Sequence, residues 1–468
     1  MTKLGHPAGS MTVGDGRQAV RVHSIMKGLA VAAVTVVAGT GCVVVSGGTS
    51  GSDGGFFPGG GFRRQTTNTG EANGVVQRSL DDVERFWTAT YPALADGDRF
   101  QAVKGGYHPY TRSDPPPGCG SAAGEYQPNA FYCPAGDFIA WDAEQLVPEL
   151  HETFGPLLVG VVMAHEYGHA IQTRLGLSKQ PTIVLEQQAD CFAGAWIGDV
   201  LAGNSPVFKD IQADQLDNTV AGLLQLRDQP GTSAESPQAH GNAFDRVRAF
   251  QEGVELKAGR CAEYRNGKLP VTELPFSSER EAATGGDLAY EDAVQLLSTD
   301  VQTYWQRAYS ELTNEQWRQL DVRAFDPADP PECEGRDTKS ATAFYCAAGD
   351  YVAFDTRQLG PTLHRQIGDN AVGMLLGSLF AQAAQERRGR PTKGRDGQVA
   401  IDCLAGSWTR DLMVRDENAE VRLSPGDLDE AVTALLVFNR SAETRDASAF
   451  DRIAGFRKGV LQGLAACG

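Results

Sequence analysis

The residues with the clearest chemical capacity are His165, Glu166 and His169, in the run Val161-Val-Met-Ala-His165-Glu166-Tyr-Gly-His169-Ala-Ile-Gln172. The run is apolar around them and reads as a helix, on which positions i and i+4 share a face. His165 and His169 can therefore offer two imidazoles to one metal ion, with Glu166 beside them as a candidate general base. A catalytic zinc needs three protein ligands and one open position for water. Glu186, which opens the next helical stretch, is the best third ligand. In such a site water loses its proton near neutrality; Glu166 accepts it and hands it to the leaving amine of a cleaved amide. His240 is a candidate hydrogen-bond donor to the oxyanion, or else a polar loop residue before a helix. Asp190, one turn after Glu186 on the same face, can accept the far N–H of His165 or His169 and fix its tautomer, or simply tie a helix pair together.

The elements that must carry these groups follow from apolar spacing. Leu80–Ala95 reads as an amphipathic helix with Phe86, Trp87 and Tyr91 on its buried side. Residues 105–124 are rich in Pro and Gly and read as loop. A short strand, Phe138–Trp141, follows a Cys-Pro-Ala-Gly turn. Helices are expected at Ala143–Thr153, stopped by Gly155-Pro156, at Leu157–Leu175, ended by Gly176, and at Leu185–Leu201, Ile211–Arg227 and Phe244–Ala258. The class is mainly α with a small β-sheet (α+β).

Internal similarity sets the domain plan. Val83-Glu-Arg-Phe-Trp87 recurs as Val301-Gln-Thr-Tyr-Trp305. Ala130-Phe-Tyr-Cys133-Pro-Ala-Gly-Asp137 recurs as Ala343-Phe-Tyr-Cys346-Ala-Ala-Gly-Asp350. Ala189-Asp-Cys191 recurs as Ile401-Asp-Cys403, and Ala243-Phe-Asp-Arg246 as Ala449-Phe-Asp-Arg452. The chain thus reads as a tandem duplication, with copies at residues 76–264 and 290–468 joined by a linker at 265–289. Aligning Ala164 with Gly377 sets His165 against Ser378, Glu166 against Leu379 and His169 against Gln382. Glu186 meets Gln398, and His240 meets Asp446. His165, Glu166, His169, Glu186 and His240 are all replaced in the second copy, while Asp190 is kept as Asp402, so one zinc is expected, in the first copy only. The same comparison demotes His151, matched by His364, and Asp137, Asp142 and Tyr132, all kept in the second copy. His108, in the Pro/Gly-rich stretch, is set aside as well.

The formal net charge of −17 over 468 residues argues against nucleic acid as a partner. Arg17, Arg21 and Lys27 precede the short apolar run from Gly28 to Ala38, which fits the core of an export signal; the start could be Met1, Met11 or Met26. Gly39-Thr40-Gly41-Cys42 resembles a lipobox, with Gly39 where an aliphatic residue is usual. Cys42 is then the candidate lipidation site and residues 1–42 a lipoprotein-type leader; a plain cleaved signal and an uncleaved anchor are the other readings. Residues 43–75 are a Gly/Ser-rich tether. The expected location is the cell envelope, anchored on the outer side of the cytoplasmic membrane, or secreted. Eight further Cys fit disulfides in such a compartment. The simplest pairing repeats in both copies, Cys119 with Cys133, Cys191 with Cys261, Cys333 with Cys346 and Cys403 with Cys467, although sequence allows other connectivities.

Taken in order, Asp82-Val-Glu-Arg-Phe-Trp87, Ala130-Phe-Tyr-Cys-Pro134, His165-Glu-Tyr-Gly-His169, Glu186-Gln-Gln-Ala-Asp-Cys-Phe-Ala-Gly194 and His240-Gly-Asn resemble the putative neutral zinc metallopeptidase family of bacteria. The His-Glu-x-x-His motif with its downstream Glu is also similar to the wider gluzincin peptidases, which implies a zincin-like fold. The resemblance covers roughly residues 78–262. It implies His165, His169 and Glu186 as zinc ligands, Glu166 as catalytic base, Asp190 as supporting carboxylate, and a protein or peptide substrate. A non-catalytic, zinc-containing envelope binding or assembly protein is the alternative, as is a zinc hydrolase acting on a non-peptide amide or ester.

Overall fold

Apolar residues at helical spacing dominate the chain, and the computed structural model is mainly helical. It describes residues 41–43, 69–120, 124–233, 235–236, 239–265, 267–272, 274–416, 418–438 and 447–468. The expected export signal and most of the tether lie outside the described residues. In chain order, the N-terminal half contains β1 (Gly41–Val43), α1 (Thr69–Thr90), β2 (Gly106–Tyr110), β3 (Asn129–Cys133), β4 (Phe138–Asp142), α2 (Leu146–Phe154), α3 (Pro156–Arg174), α4 (Thr182–Leu201), α5 (Ala213–Gln225) and α6 (Ala243–Ala262). The short α7 (Glu279–Thr284) follows. The C-terminal half contains α8 (Tyr290–Thr313), β5 (Asp321–Phe325), β6 (Ala343–Cys346), β7 (Tyr351–Asp355), α9 (Leu359–Gln366), α10 (Asp369–Arg387), α11 (Gly394–Met413), α12 (Asp427–Phe438) and α13 (Ala449–Gln462).

Several boundaries differ from the sequence reading. Helix α1 begins at Thr69, ahead of the expected Leu80 and ahead of the expected boundary at residue 76, because Val75 and Val76 extend the buried stripe of Leu80, Val83, Phe86 and Trp87 backwards. It stops at Thr90, where Pro92 forces a single 3-10 turn. Within the stretch expected to be loop, Gly106–Tyr110 is a strand, parallel to β4 from Gly106 opposite Phe138 to Tyr110 opposite Asp142. A parallel partner distant in sequence supplies hydrogen bonds that local composition cannot announce. Pro109 is tolerated because β2 lies at the sheet edge, in the order β1-β3-β4-β2. At the other edge, Gly41–Val43 pairs antiparallel with β3, placing Cys42 opposite Ala130. Helix α4 starts at Thr182, so Glu186 lies one turn inside it rather than at its opening. The expected linker contains α7, capped by the Ser278 side chain.

Apart from β1, the two halves place their elements in the same order, from α1 and from α8 onward. β5 runs parallel to β7 and β6 antiparallel to it, as β2 and β3 do with β4. In both halves an aspartate with positive φ closes the turn between the antiparallel strands, Asp137 at 50° and Asp350 at 53°. Tyr132 and Tyr345 donate their hydroxyls to these carboxylates, and Arg174 and Arg387 pair with them. Asp142 and Asp355 accept the first backbone N–H groups of α2 and α9. These contacts account for the residues shared by both halves in terms of fold alone. Disulfides join Cys119 to Cys133, Cys191 to Cys261, Cys333 to Cys346 and Cys403 to Cys467. One apolar core, including Trp87, Trp196, Trp305 and Trp408, runs through both halves.

Asp287, Asp369, Asp427 and Glu430 gather where α10 and α12 begin. Burial pushes the Asp369 carboxyl up to about 6, and the Asp287 charge adds to the rise. Asp427 and Glu430 are raised well above the usual range for the same reasons. A raised carboxyl means that the folded state holds its proton more tightly than the unfolded one. The stabilisation is full below the unfolded value near 3.8 and is lost as pH rises through about 6. Asp369→Asn retains an oxygen for the Leu288 N–H and removes the charge. It is expected to stabilise the protein by about 1 to 3 kcal/mol at pH 7.5 and to leave stability near pH 4 unchanged. Denaturant melts at the two pH values check this; an equal effect at both would contradict it.

Candidate metal centre

The site is made by two helices that touch and a strand laid beside them. Helix α3 carries the His-Glu-x-x-His run and is buried from Leu157 to Gln172. Helix α4 crosses it where a Cβ on Gly168 would lie 3.0 Å from the Ala189 Cα. Any larger residue at 168 would push α4 away and take Glu186 and Asp190 with it. On its other side α4 meets α6 backbone to backbone. A Cβ on Gly194 would lie 2.0 Å from the Phe250 carbonyl oxygen, and one on Gly253 would lie 1.9 Å from that of Cys191. The Cys191–Cys261 disulfide fastens the same pair of helices.

These contacts bring three ligand-type side chains to one point. The Nε2 atoms of His165 and His169 stand 3.2 Å apart. The Glu186 oxygens lie 3.3 Å from His165 Nε2 and 3.4 Å from His169 Nε2. All three residues are buried, which excludes a solvated surface role for Glu186. The far ring nitrogens are tied outward: His165 Nδ1 is 2.8 Å from Asp190 Oδ1, and His169 Nδ1 is 3.0 Å from Gln172 Oε1. Since a carboxylate and an amide oxygen accept, each Nδ1 donates, and each Nε2 turns a lone pair inward. Glu186 Oε2 is buried without a hydrogen-bond partner. Two inward lone pairs and a buried carboxylate oxygen with no donor fit a divalent cation.

The electrostatics agree with the geometry. Burial pushes the His169 imidazole down to about 4, His165 adding to the effect against the pull of Glu186. Burial would raise the Glu186 carboxyl, but His169, His165 and His240 hold it well below the usual carboxylate range. Burial would likewise raise Asp190, yet Arg246 and His165 keep it below its ordinary value. Asp402, at the matching place in α11, faces Arg452 without a histidine, and burial raises it instead.

Glu166 accepts the Tyr132 backbone N–H at 3.0 Å, so β3 orients it. His240 precedes α6, and its backbone N–H and that of Gly241 donate to Asp228 Oδ2 at 2.7 and 2.8 Å. His240 Nδ1 lies 3.3 Å from Asp228 Oδ1. Asp190 has both anticipated contacts. It meets His165, and it receives a fork from Arg246 at 2.8 and 2.9 Å that Arg452 and Asp402 reproduce in the other half. His108 lies on β2 with its ring against Phe138. On α10, Leu379 is buried and Ser378 half-buried, and the two offer no ligand pair.

Four contributors escaped the sequence reading: Gln172, Arg246, Asp228 and the Tyr132 N–H. Two carried a signal: Arg246, in the Ala-Phe-Asp-Arg run recurring at 449–452, and Gln172, which meets Gln385 when the two motif-helix segments are aligned. A backbone donor leaves no trace in side-chain type, and a lone Asp has no periodicity.

Comparison with known proteins agrees with the motif. Residues 5–264 match the family model described as putative neutral zinc metallopeptidase. Uncharacterized proteins of Mycobacterium tuberculosis and Mycobacterium bovis are 28% identical over 162 residues, which cover 30% of this chain and 55% of each relative. The chain thus spans about half the length of the curated relatives it matches. No solved structure matches it.

Proposed function

The chain belongs to the putative neutral zinc metallopeptidase family, and on that premise we propose that it is a zinc-dependent peptidase whose N-terminal half carries out the hydrolysis. The observation that carries this reading is the convergence of His165 Nε2, His169 Nε2 and the Glu186 carboxylate, with Glu166 alongside, oriented by β3. Bound zinc supplies Lewis-acid activation of water and of the scissile carbonyl. His165, His169 and Glu186 are the residues that would hold it. Asp190 and Gln172 keep the two rings turned inward. Glu166 takes the proton from water and delivers it to the leaving amine, and the Tyr132 N–H keeps its carboxylate from rotating away. His240, with Nδ1 on Asp228, donates to the developing oxyanion through Nε2 when its ring carries both protons.

The C-terminal half is, on this reading, a copy of the same domain that has lost its ligands and holds no metal. The matching strand pairings, disulfides and buried Asp–Arg pairs support it, as does the presence of Ser378, Leu379, Gln382 and Gln398 where the other half has its site. Export with anchoring through Cys42 is supported by the apolar run before it and by four disulfides, which persist in an oxidising compartment. No helix among the described residues is long and apolar enough to cross a membrane.

The test is chelation and reconstitution of the full chain. Stripping the metal is expected to abolish cleavage of a mixed peptide substrate, and stoichiometric zinc to restore it. A chain that takes up zinc yet cleaves no peptide would leave a binding role; one that takes up none would end the zinc reading.

A further inference from the structure

Where the two halves meet, their contacts are reciprocal. On α12, Asp429 accepts the Phe244 N–H at 3.0 Å, and the Ala243 N–H as well, at the start of α6. On α5, Asp217 accepts the Ala449 and Phe450 N–H groups, both at 3.0 Å, at the start of α13. Phe244 packs edge-on against Phe456, and Phe450 against Phe250. Each half thus supplies the carboxylate that satisfies the open helix start of the other, where unpaired donors and the positive helix end favour an anion. This is the self-complementary pattern of a two-fold interface within one chain.

The two clamps are alike in geometry and differ in what lies behind them. Behind the start of α13 stand Arg452 and Asp402, with no histidine. Behind the start of α6 stands the metal centre. His240, Gly241 and Asn242 lead directly into α6, and Asn242 caps it through the Asp245 N–H. One turn later Arg246 forks onto Asp190, which holds His165 Nδ1. Asp429 Oδ2 also lies 3.2 Å from Arg227 Nε, and the next residue, Asp228, holds the His240 loop. Asp429 therefore touches both routes to the centre, while being 4% exposed and carried by the other half.

We propose that Asp429 is a positioning residue for the metal centre, through which the C-terminal half sets the α6 start, and with it the Arg246–Asp190–His165 chain and the His240 loop. The role of the C-terminal half is then to complete the site from outside. The proposal rests on the assignment of His165, His169 and Glu186 as zinc ligands.

Asp217→Ala provides the internal control, since it breaks the matching clamp at a helix that carries no chemistry. In the full chain, Asp429→Ala and Asp217→Ala are expected to lower the melting temperature similarly. Only Asp429→Ala is expected to weaken zinc about tenfold in a chelator competition, as loss of an outer supporting partner does, and to lower kcat with KM little changed. Asp217→Ala is expected to leave zinc affinity and kcat within about twofold, since its effect is confined to stability. Asp429→Asn keeps an acceptor for the helix start and is the variant to measure should the alanine form not fold; an affinity between those of wild type and Asp429→Ala, at least about threefold below wild type, is expected. Equal effects of the two alanine variants on zinc and kcat would reduce Asp429 to a stability contact, and unchanged zinc affinity in either Asp429 variant would overturn the proposal. A wild type that binds zinc but cleaves nothing would defeat the peptidase reading while the affinity comparison still decides this one. A wild type that binds no zinc defeats both.

Discussion

Glu166→Gln is expected to keep zinc at the wild-type stoichiometry and to lower kcat/KM by about 100- to 10,000-fold, the range for losing a positioned general acid–base. The substitution is isosteric, and its amide oxygen can still accept the Tyr132 N–H that holds Glu166 Oε2 at 3.0 Å. The three proposed ligands, His165, His169 and Glu186, are untouched, so metal content should not change. What is lost is the capacity to take a proton and return it, which an amide cannot do at neutral pH. Metal analysis and single-turnover peptide cleavage on the same sample separate the two effects. Activity equal to wild type would remove Glu166 from the chemistry. Loss of zinc together with activity would show that Glu166 supports the metal rather than the proton transfer.

Glu186→Gln is expected to have the largest effect on metal content. It installs in α4 the residue type that Gln398 supplies in α11. The two histidines would remain, still turned inward by Asp190 and Gln172, but a catalytic zinc site rests on three protein ligands. Affinity should fall by more than the roughly 10- to 100-fold that accompanies loss of an outer hydrogen-bond partner. After dialysis, zinc is expected to fall from about one per chain to near zero, with activity falling in step. The same measurement tests the C-terminal half within the intact protein. A full equivalent of zinc surviving in Glu186→Gln would place a metal outside the His165–His169–Glu186 cluster, and its persistence in a further Asp369→Asn variant, which removes a carboxylate of the Asp287–Asp369–Glu430 group, would break the alignment that leaves the second half without ligands.

Much of the site could be read from the chain because the informative residues sit on helices. Helical spacing alone puts His165 and His169 on one face and Glu166 next to them. Glu186 and Asp190 could be selected because a second, similar segment in the same chain has Gln398 and Asp402 there; Gln398 separates chemistry from architecture, and Asp402 warns that Asp190 serves both. In the structure Asp190 meets His165 on one side and Arg246 on the other. The strands were less legible. β2 is held by a parallel partner and edge-placed Pro109, and a Gly/Pro-rich composition reads as loop until that partner is present. The early start of α1 was hidden for a related reason: Val75 and Val76 have a stripe to join only once the core has formed.

The sequence by itself determined which side chains could do chemistry, because residue type and a 3.6-residue period are local properties. It also determined the likeness between the two halves, because repeated runs are visible without coordinates. Only the tertiary structure decided how those side chains are held. The close crossing at Gly168, the outward tethers of the imidazoles on Asp190 and Gln172, the Tyr132 N–H on Glu166 and the reach of Asp429 across to α6 all join segments far apart in sequence. Such contacts depend on distances fixed by packing, and a linear chain carries no record of them.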